Sequence, residues 1–566
     1  MTTIRRRILA VLSMLCFILV IIAGRFFYFQ IIEGPELARR ASIMRSRGFS
    51  FPESGRGHIL DRYCQPLTGT GLAWACFGMP GQIVDFRETS IRAAKILETE
   101  PRIIEESLRQ AARRRENYVL LRTPVNDNKM RQELAAIDGI LVAQVERRYR
   151  EDGRFIHLIG NLGPPGPNDK ARVVGKAGLE IRYEDELRAR SNPNQLVTVV
   201  DGLGNPIPGI SPKLAATKTE IGDVVTTIDR GIQLMTETIV DQHIKTGAVV
   251  ILDIANRDVL TMVSRPTYNP YDPEAYKEGE DTGLQLNRAL TAFYPGSLFK
   301  IAIAAAALEN GILTPEETFH CPGYHRFSEG LVIPCWKSSG HGIIPTSQAL
   351  AESCNTAFIE IGLRLGRTRL LDFCDKAKLF NREIIGYDNA QGDSRLEIDY
   401  GRPALGNASL GQKGIMMSPL QIANLVATVA DNGVYKKPRL VREVREGDQI
   451  IRILSPDPGE QIMSPETSET LRRYLGLVTT TGTGRNAGLP GIGCGGKTAT
   501  SQTGQYTESG EEILDTWFVG YFPQEKPRWV IAVLVEHGQS GGRNAAPVFR
   551  EIAQGMVKMY LPMSAY

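Results

Sequence analysis

Three short stretches of the sequence carry side chains that together could make and break an acyl bond. In "FYPGSLFKIAIAAAALENG", residues 293–311, Ser297 stands three positions before Lys300, behind the turn-forming pair Pro295-Gly296 and at the head of an alanine-rich run. Serine and lysine at i and i+3 share one face of a helix, and a helix start adds unpaired N–H groups and a positive dipole. A serine hydroxyl is a feeble nucleophile until a base takes its proton, which a neutral lysine on the same face can do. The same serine would also serve as a helix cap, and S-x-x-K arises by chance in a chain of this length, so the pair needs company. Two later stretches supply it: Ser353-Cys354-Asn355 in "AESCNTAF" and Lys497-Thr498-Ala499-Thr500 in "GCGGKTATSQTG". A serine with its lysine, then S-x-N, then a lysine-threonine pair, in this chain order, are the parts of a covalent acyl-transfer site.

The elements that must position these parts are readable around them. From Gly222, "DVVTTIDRGIQLMTETIVDQHI" predicts a strand, a helix start at Asp229 and an amphipathic helix, and "GAVVILDIANRDVLTMVS" predicts two strands joined by an Asn-Arg-Asp turn. Near the other end, "DTWFVGYF" and "RWVIAVLVEHG" predict a strand pair across "PQEKP", followed by a closing helix in "NAAPVFREIAQGMVKMYL". Strands first, helices between and strands last describe an α/β domain, residues 216–566, whose sheet is completed by both ends of its sequence. At 566 residues the chain exceeds what one core usually serves, and residues 25–215 read as a separate pedestal. That region sets helix-like stretches such as "SIRAAKILETEPRIIEESLRQAARRR" beside the turn-rich "HLIGNLGPPGPNDKARVVGKAG". Its charge runs read as solvated helix faces, with no chemical constellation among them. The balance of 66 basic against 63 acidic residues, a net +3, offers no footprint for nucleic acid.

Arg5, Arg6 and Arg7 precede an apolar run from Ile8 to Gly24, long enough to cross a bilayer. Basic residues before the span predict a cytoplasmic tail, residues 1–7, and an exported remainder. The sequence continues bulky and apolar as "GRFFYFQIIEG" where a cleaved signal needs small residues, so the expectation is an uncleaved anchor. Export permits disulfides, and the chain has eight cysteines. Cys321 and Cys335, followed by His341, make zinc conceivable, but no C-x-x-C or H-x-x-x-H pair supports it. One local disulfide among Cys321, Cys335 and Cys354, or free thiols, is the plainer expectation.

Taken in order, "RGHILDR", "HLIGNLG", "GKAGLEIRYEDEL", "TTIDRGIQ", "RPTYNPY", "NRALTAFYPGSLFK", "CWKSSGHG", "SLGQKGIMMSPLQIANLVATVADNG" and "WFVGYFP" join the three site stretches over nearly the whole chain. The sequence resembles the class B penicillin-binding proteins, the monofunctional D,D-transpeptidases of peptidoglycan synthesis. The resemblance implies a β-lactamase-like transpeptidase domain, a sheet flanked by helices, preceded by a single transmembrane helix and an elongated α+β pedestal. It implies Ser297 as nucleophile and Lys300 as its base, with desolvation and the charge of Lys497 pressing the Lys300 pKa down. Ser353 and Asn355 would pass a proton to the leaving D-alanine and hold the donor peptide's amide. Thr498 and Thr500 would meet the substrate carboxylate along an edge strand, and the backbone N–H groups of Ser297 and Thr500 would form the oxyanion hole. No metal and no cofactor are expected. The implied partners are peptidoglycan stem peptides, β-lactams, the lipid bilayer through residues 8–24, and a SEDS-type membrane glycan polymerase touching the span and the stalk at Arg56 to Arg62.

Two features keep alternatives open. Ala499 stands where the family usually has glycine, and its Cβ is expected to face the incoming substrate strand. Glu383 and Glu397 lie between Asn355 and Lys497, so either could serve water in place of an amine. The alternatives are accordingly a serine β-lactamase, a D,D-carboxypeptidase, or a catalytically weak scaffold that binds β-lactams.

Overall fold

The computed structural model describes residues 2–34, 36–37, 40, 46–50, 56–114, 116, 118–164, 173–188, 194–199, 213–216, 222–272, 283–388 and 393–561. The chain forms two compact units, one of residues 1–55, 72–146 and 189–219, the other of residues 56–71, 147–188 and 220–566.

In the first unit the N-terminal helix runs Thr2–Phe27 and ends in a π turn at Tyr28–Ile32. It is longer than the expected span of 8–24 because Arg5 to Arg7 are themselves good helix formers and nothing after Gly24 breaks the pattern. The helical stretch Ile4–Ile32 has 29 residues, its most apolar 18-residue window has a mean hydropathy of 2.6, and its side chains are exposed. At about 1.5 Å per residue it exceeds the roughly 30 Å of a bilayer's hydrocarbon core, so by length and composition it can cross one. Beyond it, strands Gly71–Gly78, Val119–Arg122 and Ile140–Arg147 form a sheet with Gly71–Gly78 in the centre. The long helical pattern of residues 90–115 splits into Phe86–Leu97 and Pro101–Arg113, because Glu98 turns left-handed at φ 52° and Pro101 can only begin a helix. Asp85 caps the first by accepting from the N–H groups of Arg87 and Glu88. Both helices bury small and aliphatic residues, among them Ala93, Ala94, Ile104 and Leu108, and turn their charges to solvent as expected.

The second unit is built on a five-stranded antiparallel sheet. Strands β1 (Gly247–Asp253) and β2 (Val259–Arg265) come early, and β3 (Gly495–Tyr506), β4 (Glu512–Phe522) and β5 (Trp529–Val535) come late. Their order is β2-β1-β5-β4-β3, so the two ends of the sequence meet where β1 pairs with β5, and β3 is an edge. Every position of β2 and β5 is buried, as continuous apolar runs covered on both faces must be. Helices α1 (Arg230–His243) and α7 (Ala545–Tyr560) cover one face. On the other lie α2 (Lys300–Glu309), α3 (Thr346–Ala351), α4 (Asn355–Leu365), α5 (Pro419–Ala430) and α6 (Pro465–Thr480). The alanine run is explained here: α2 is buried from Lys300 to Ala307 and α5 along its whole length, and a helix enclosed on all sides needs small or wholly apolar side chains.

Residues 56–71 and 147–188 belong to this same unit, and several of their described charges are buried instead of solvated. Glu180 has no exposed surface; it faces Arg56 at 3.0 Å, is bound by the Arg148 guanidinium, and accepts from the Tyr149 hydroxyl at 3.1 Å. Arg56 also reaches Glu184 at 2.7 Å. Charge pattern alone could not reveal this, since the partners lie far apart in sequence. Removing one member of a buried ion network leaves the others desolvated and uncompensated, at a cost of about 3–5 kcal/mol. Glu180→Ala is expected to lower the thermal midpoint of the full-length protein sharply, while the exposed Glu133→Ala leaves it in place; equal midpoints would remove the network from the fold's stability.

Candidate active site

Ser297 lies on a 3-10 turn, Gly296–Phe299, that runs into α2 at Lys300, not in the first turn of the α-helix itself. The tighter turn follows from Pro295-Gly296: Gly296 takes φ 53° and donates its N–H to Gly411 O at 3.0 Å. A Cβ on Gly411 would fall 2.1 Å from Gly296 O, so the glycine of "SLGQKG" is what allows this close approach. Spacing of three still sets Ser297 and Lys300 on one side, because both helix types return near the same face in that interval.

Lys300 is fully buried and all its donors are engaged. Its Nζ donates to Ser353 O at 2.9 Å, to Asn355 Oδ1 at 2.8 Å and to Ser353 Oγ at 3.3 Å, and it lies 5.5 Å from the Phe358 ring centre. Burial lowers its pKa to about 8. Lys497, equally buried, has its Nζ donating to Thr498 O at 2.9 Å. Its pKa is pushed well below the ordinary lysine range, first by burial and then by repulsion from Lys300. The repulsion expected to act on Lys300 therefore falls on Lys497. The acceptors explain the division: three oxygens around Lys300 support a positive charge, and the one at Lys497 supports it less.

The S-x-N triplet links α3 to α4. Ser353 has a left-handed backbone, φ 54°, which closes the end of α3 and turns its carbonyl to Lys300. Asn355 opens α4; its Nδ2 donates to Pro334 O at 3.2 Å, which fixes Oδ1 toward the lysine. On β3, Thr498 shares a 2.6 Å hydrogen bond with Thr483, and exposed Thr500 accepts from the Gly541 N–H at 3.3 Å. Ser297, Ser353, Asn355, Thr498 and Thr500 all line one cleft of about 630 Å³, and the two lysines lie buried behind it.

The cleft adds residues that received no role from sequence. Trp336 and Gln412 fall inside the quoted "CWKSSGHG" and "SLGQKG" stretches, but Asn407, Thr483 and Ser540 carried no signal of their own. Among the described residues no carboxylate lines the cleft. Glu383 pairs instead with Lys437, and Glu397 lies outside, its N–H on Gly414 O at 2.8 Å. All eight cysteines are free thiols, the second of the two plainer expectations, and Cys321, Cys335 and Cys354 stand together beside His341.

Ala499 departs from expectation. Alternation along β3 puts Lys497, Ala499 and Ser501 on one face, and Ala499 is only 3 % exposed, packed in the core with Phe299 and Trp517. Its Cβ sits under the turn that carries Ser297, 3.4 Å from where a Cβ on Gly296 would lie, and not toward an incoming strand. Glycine at 296 makes room for alanine at 499. Gly296→Ala would add a Cβ 3.2 Å from Ser501 Cβ on a left-handed backbone, a strain of about 1–2 kcal/mol. Its thermal midpoint should fall below that of the wild type; an unchanged midpoint would show that the turn adjusts to a side chain at 296 without cost.

The family description "Penicillin binding protein transpeptidase domain" matches residues 247–554, and "Penicillin-binding Protein dimerisation domain" matches residues 52–216. Over 97% of its length the chain is 28% identical to stage V sporulation protein D of Bacillus subtilis, covering 85% of that protein. It is 26% identical to the peptidoglycan D,D-transpeptidase MrdA of Acinetobacter baumannii, covering 96% of this chain and 87% of the other. The D,D-transpeptidase domain of a peptidoglycan glycosyltransferase from Eggerthella lenta shares the fold, with a TM-score of 0.59 and 23% identity over 74% of this chain and 93% of that one. The transpeptidase match takes in more than half of the chain and every residue of the three site stretches. With a dimerisation domain ahead of its transpeptidase domain, the chain belongs to the penicillin-binding protein transpeptidases, in the class B arrangement.

Proposed function

We propose that this peptidoglycan D,D-transpeptidase works through a serine acyl-enzyme formed at Ser297 and blocked by β-lactams. The observation that carries the reading is Ser297 at the cleft surface with Lys300 buried behind it, held by both polar members of the S-x-N triplet. As an ammonium, Lys300 fills three acceptors; as a neutral amine it keeps two donors and gains a lone pair. Its longest contact, the 3.3 Å one to Ser353 Oγ, is the one most easily given up, which leaves the lone pair free for the Ser297 proton. Ser297 Oγ then attacks the carbonyl of the penultimate D-alanine as its proton passes to Lys300; Ser353 delivers its own proton to the departing D-alanine and takes one back from the Lys300 ammonium, which returns to the neutral amine. Thr498 and Thr500 receive the terminal carboxylate, and the N–H groups of Ser297 and Thr500 meet the oxyanion. Attack by the amine of a second stem peptide releases the serine and completes the cross-link. Glu383 and Glu397, the two carboxylates that could have served water, both stand away from the described cleft residues, which takes them out of a hydrolytic role.

A penicillin adduct is expected on Ser297 by peptide mapping and on no residue in Ser297→Ala. Lys300→Ala should slow acylation by about 10²–10⁴-fold while the chain folds. Since the base must be neutral, acylation should speed up as pH rises toward the lysine's value of about 8 and level off above it. A flat profile through that range would remove Lys300 from the base role.

We also infer that the N-terminal helix is a single-pass anchor with its basic end cytoplasmic, and that it meets a SEDS-type polymerase within the membrane. Arg56 and Asp61 of the stalk are buried in their own unit, whereas the apolar side chains of the helix are exposed, which supports the helix as a surface for such a contact. Replacing residues 8–24 by an unrelated apolar helix should impair cell-wall synthesis and spare penicillin labelling; full complementation by that chimaera would deny the span any partner specificity.

A further inference from the structure

Three thiols and an imidazole from separate elements converge beside the S-x-N triplet. Cys321 ends the strand Thr318–Cys321; His341 precedes the strand Gly342–Pro345 that pairs with it; Cys335 follows the hairpin strand Leu331–Pro334; Cys354 caps α4. Their ligand atoms all lie within 4.8 Å of one another. His341 Nδ1 is 3.5 Å from Cys321 Sγ and 3.6 Å from Cys335 Sγ. Zinc with Zn–S near 2.3 Å and Zn–N near 2.0–2.1 Å makes a tetrahedron whose N···S edges are roughly 3.5 Å, the spacing found here. The three cysteines are at most 4 % exposed and His341 is half-buried, so the group is largely enclosed, with Cys335 at the border of the cleft. A disulfide would use two of the sulfurs and would give no role to an imidazole shared almost evenly between two of them.

We propose that Cys321, Cys335, His341 and Cys354 bind one zinc ion, which clamps the active-site triplet in place. Four protein ligands leave no open position, which marks a structural ion and not a catalytic one. Thiolates with one imidazole, gathered tetrahedrally, select zinc over calcium or magnesium, which take oxygen. The clamp acts through neighbours in the chain. Cys354 stands between Ser353 and Asn355, the two residues that hold Lys300, and Cys335 follows Pro334, whose carbonyl accepts from Asn355 Nδ2. One ion on Cys335 and Cys354 therefore fixes both supports of the Asn355 amide and the left-handed turn at Ser353. These four residues position the lysine's partners, and of them Cys335 also borders the cleft. The effect on acylation rests on the serine reading above; the metal content does not.

The test uses the full-length protein in detergent, handled under reducing conditions without chelator. Elemental analysis should find about one zinc per chain, retained in Cys64→Ser and in the conservative His341→Cys, and largely lost in His341→Ala and Cys335→Ser. Cobalt alone, added after stripping, should give the absorption of a tetrahedral thiolate-bound ion. Wild-type protein that takes up neither metal, or that carries a bond between two of these cysteines under reducing conditions, would overturn the site. Stripped protein should acylate at least about tenfold more slowly with penicillin and recover on adding Zn²⁺ alone; unchanged rates would overturn the clamp. A zinc-loaded wild type that never labels at Ser297 would remove the serine reading and leave the metal site standing.

Discussion

A lysine with no exposed surface must find acceptors for its charge or give up its proton, and Lys300 and Lys497 divide those two outcomes between them. Both are buried behind the cleft, close enough for the charge of one to act on the other. The three oxygens supplied by Ser353 and Asn355 keep Lys300 the more basic of the pair, yet burial brings it to about 8, where a small change of environment decides whether it carries a proton. That balance is the constraint the surrounding structure serves. It requires water to be kept out, which the enclosed, alanine-rich α2 does, and it requires the oxygens to stay in place, which falls to the link between α3 and α4.

Close packing around the seam shows the same requirement. Gly296 and Gly411 meet backbone to backbone, and Ala499 fills the space that Gly296 leaves, so the turn bearing Ser297 is pinned between two loops and an edge strand. Thr483 ties the far side: its hydroxyl reaches Ala351 O at the end of α3 and Thr498 on β3. The cleft is thus walled by elements from distant parts of the sequence whose mutual distances are fixed by backbone contacts, which hold position better than long side chains do.

What sequence reveals and what it hides follow from range. The serine, S-x-N and K-T-A-T stretches are local, and their order announces the chemistry; the strands are continuous apolar runs, and the sheet's assembly from both ends of the domain follows from where those runs fall. The direction of the Ala499 side chain was hidden, because it depends on which face of β3 turns inward, and Lys497 on the same face was the clue to it. The 3-10 turn was hidden because i and i+3 coincide in both helix types. Glu180, Arg56 and Arg148 read as solvent charges because nothing local tells an arginine that its carboxylate lies on another segment.

The cysteines make the same argument most sharply. Metal sites are recognised in sequence by paired ligands a few residues apart, a spacing that works when one turn supplies two ligands. Here each ligand comes from its own element: a strand end, a hairpin exit, a loop and a helix start. Strand pairing of Cys321 with Gly342 is what delivers His341 to the group, and the fold of the hairpin is what delivers Cys335. Such a site exists only when the tertiary structure is already formed, so any ion that it holds reports on the completed active-site wall and not on a local loop. Because Cys354 sits inside the triplet that governs Lys300, a change at the thiols reaches the lysine through a single residue of backbone, with no moving domain needed between them.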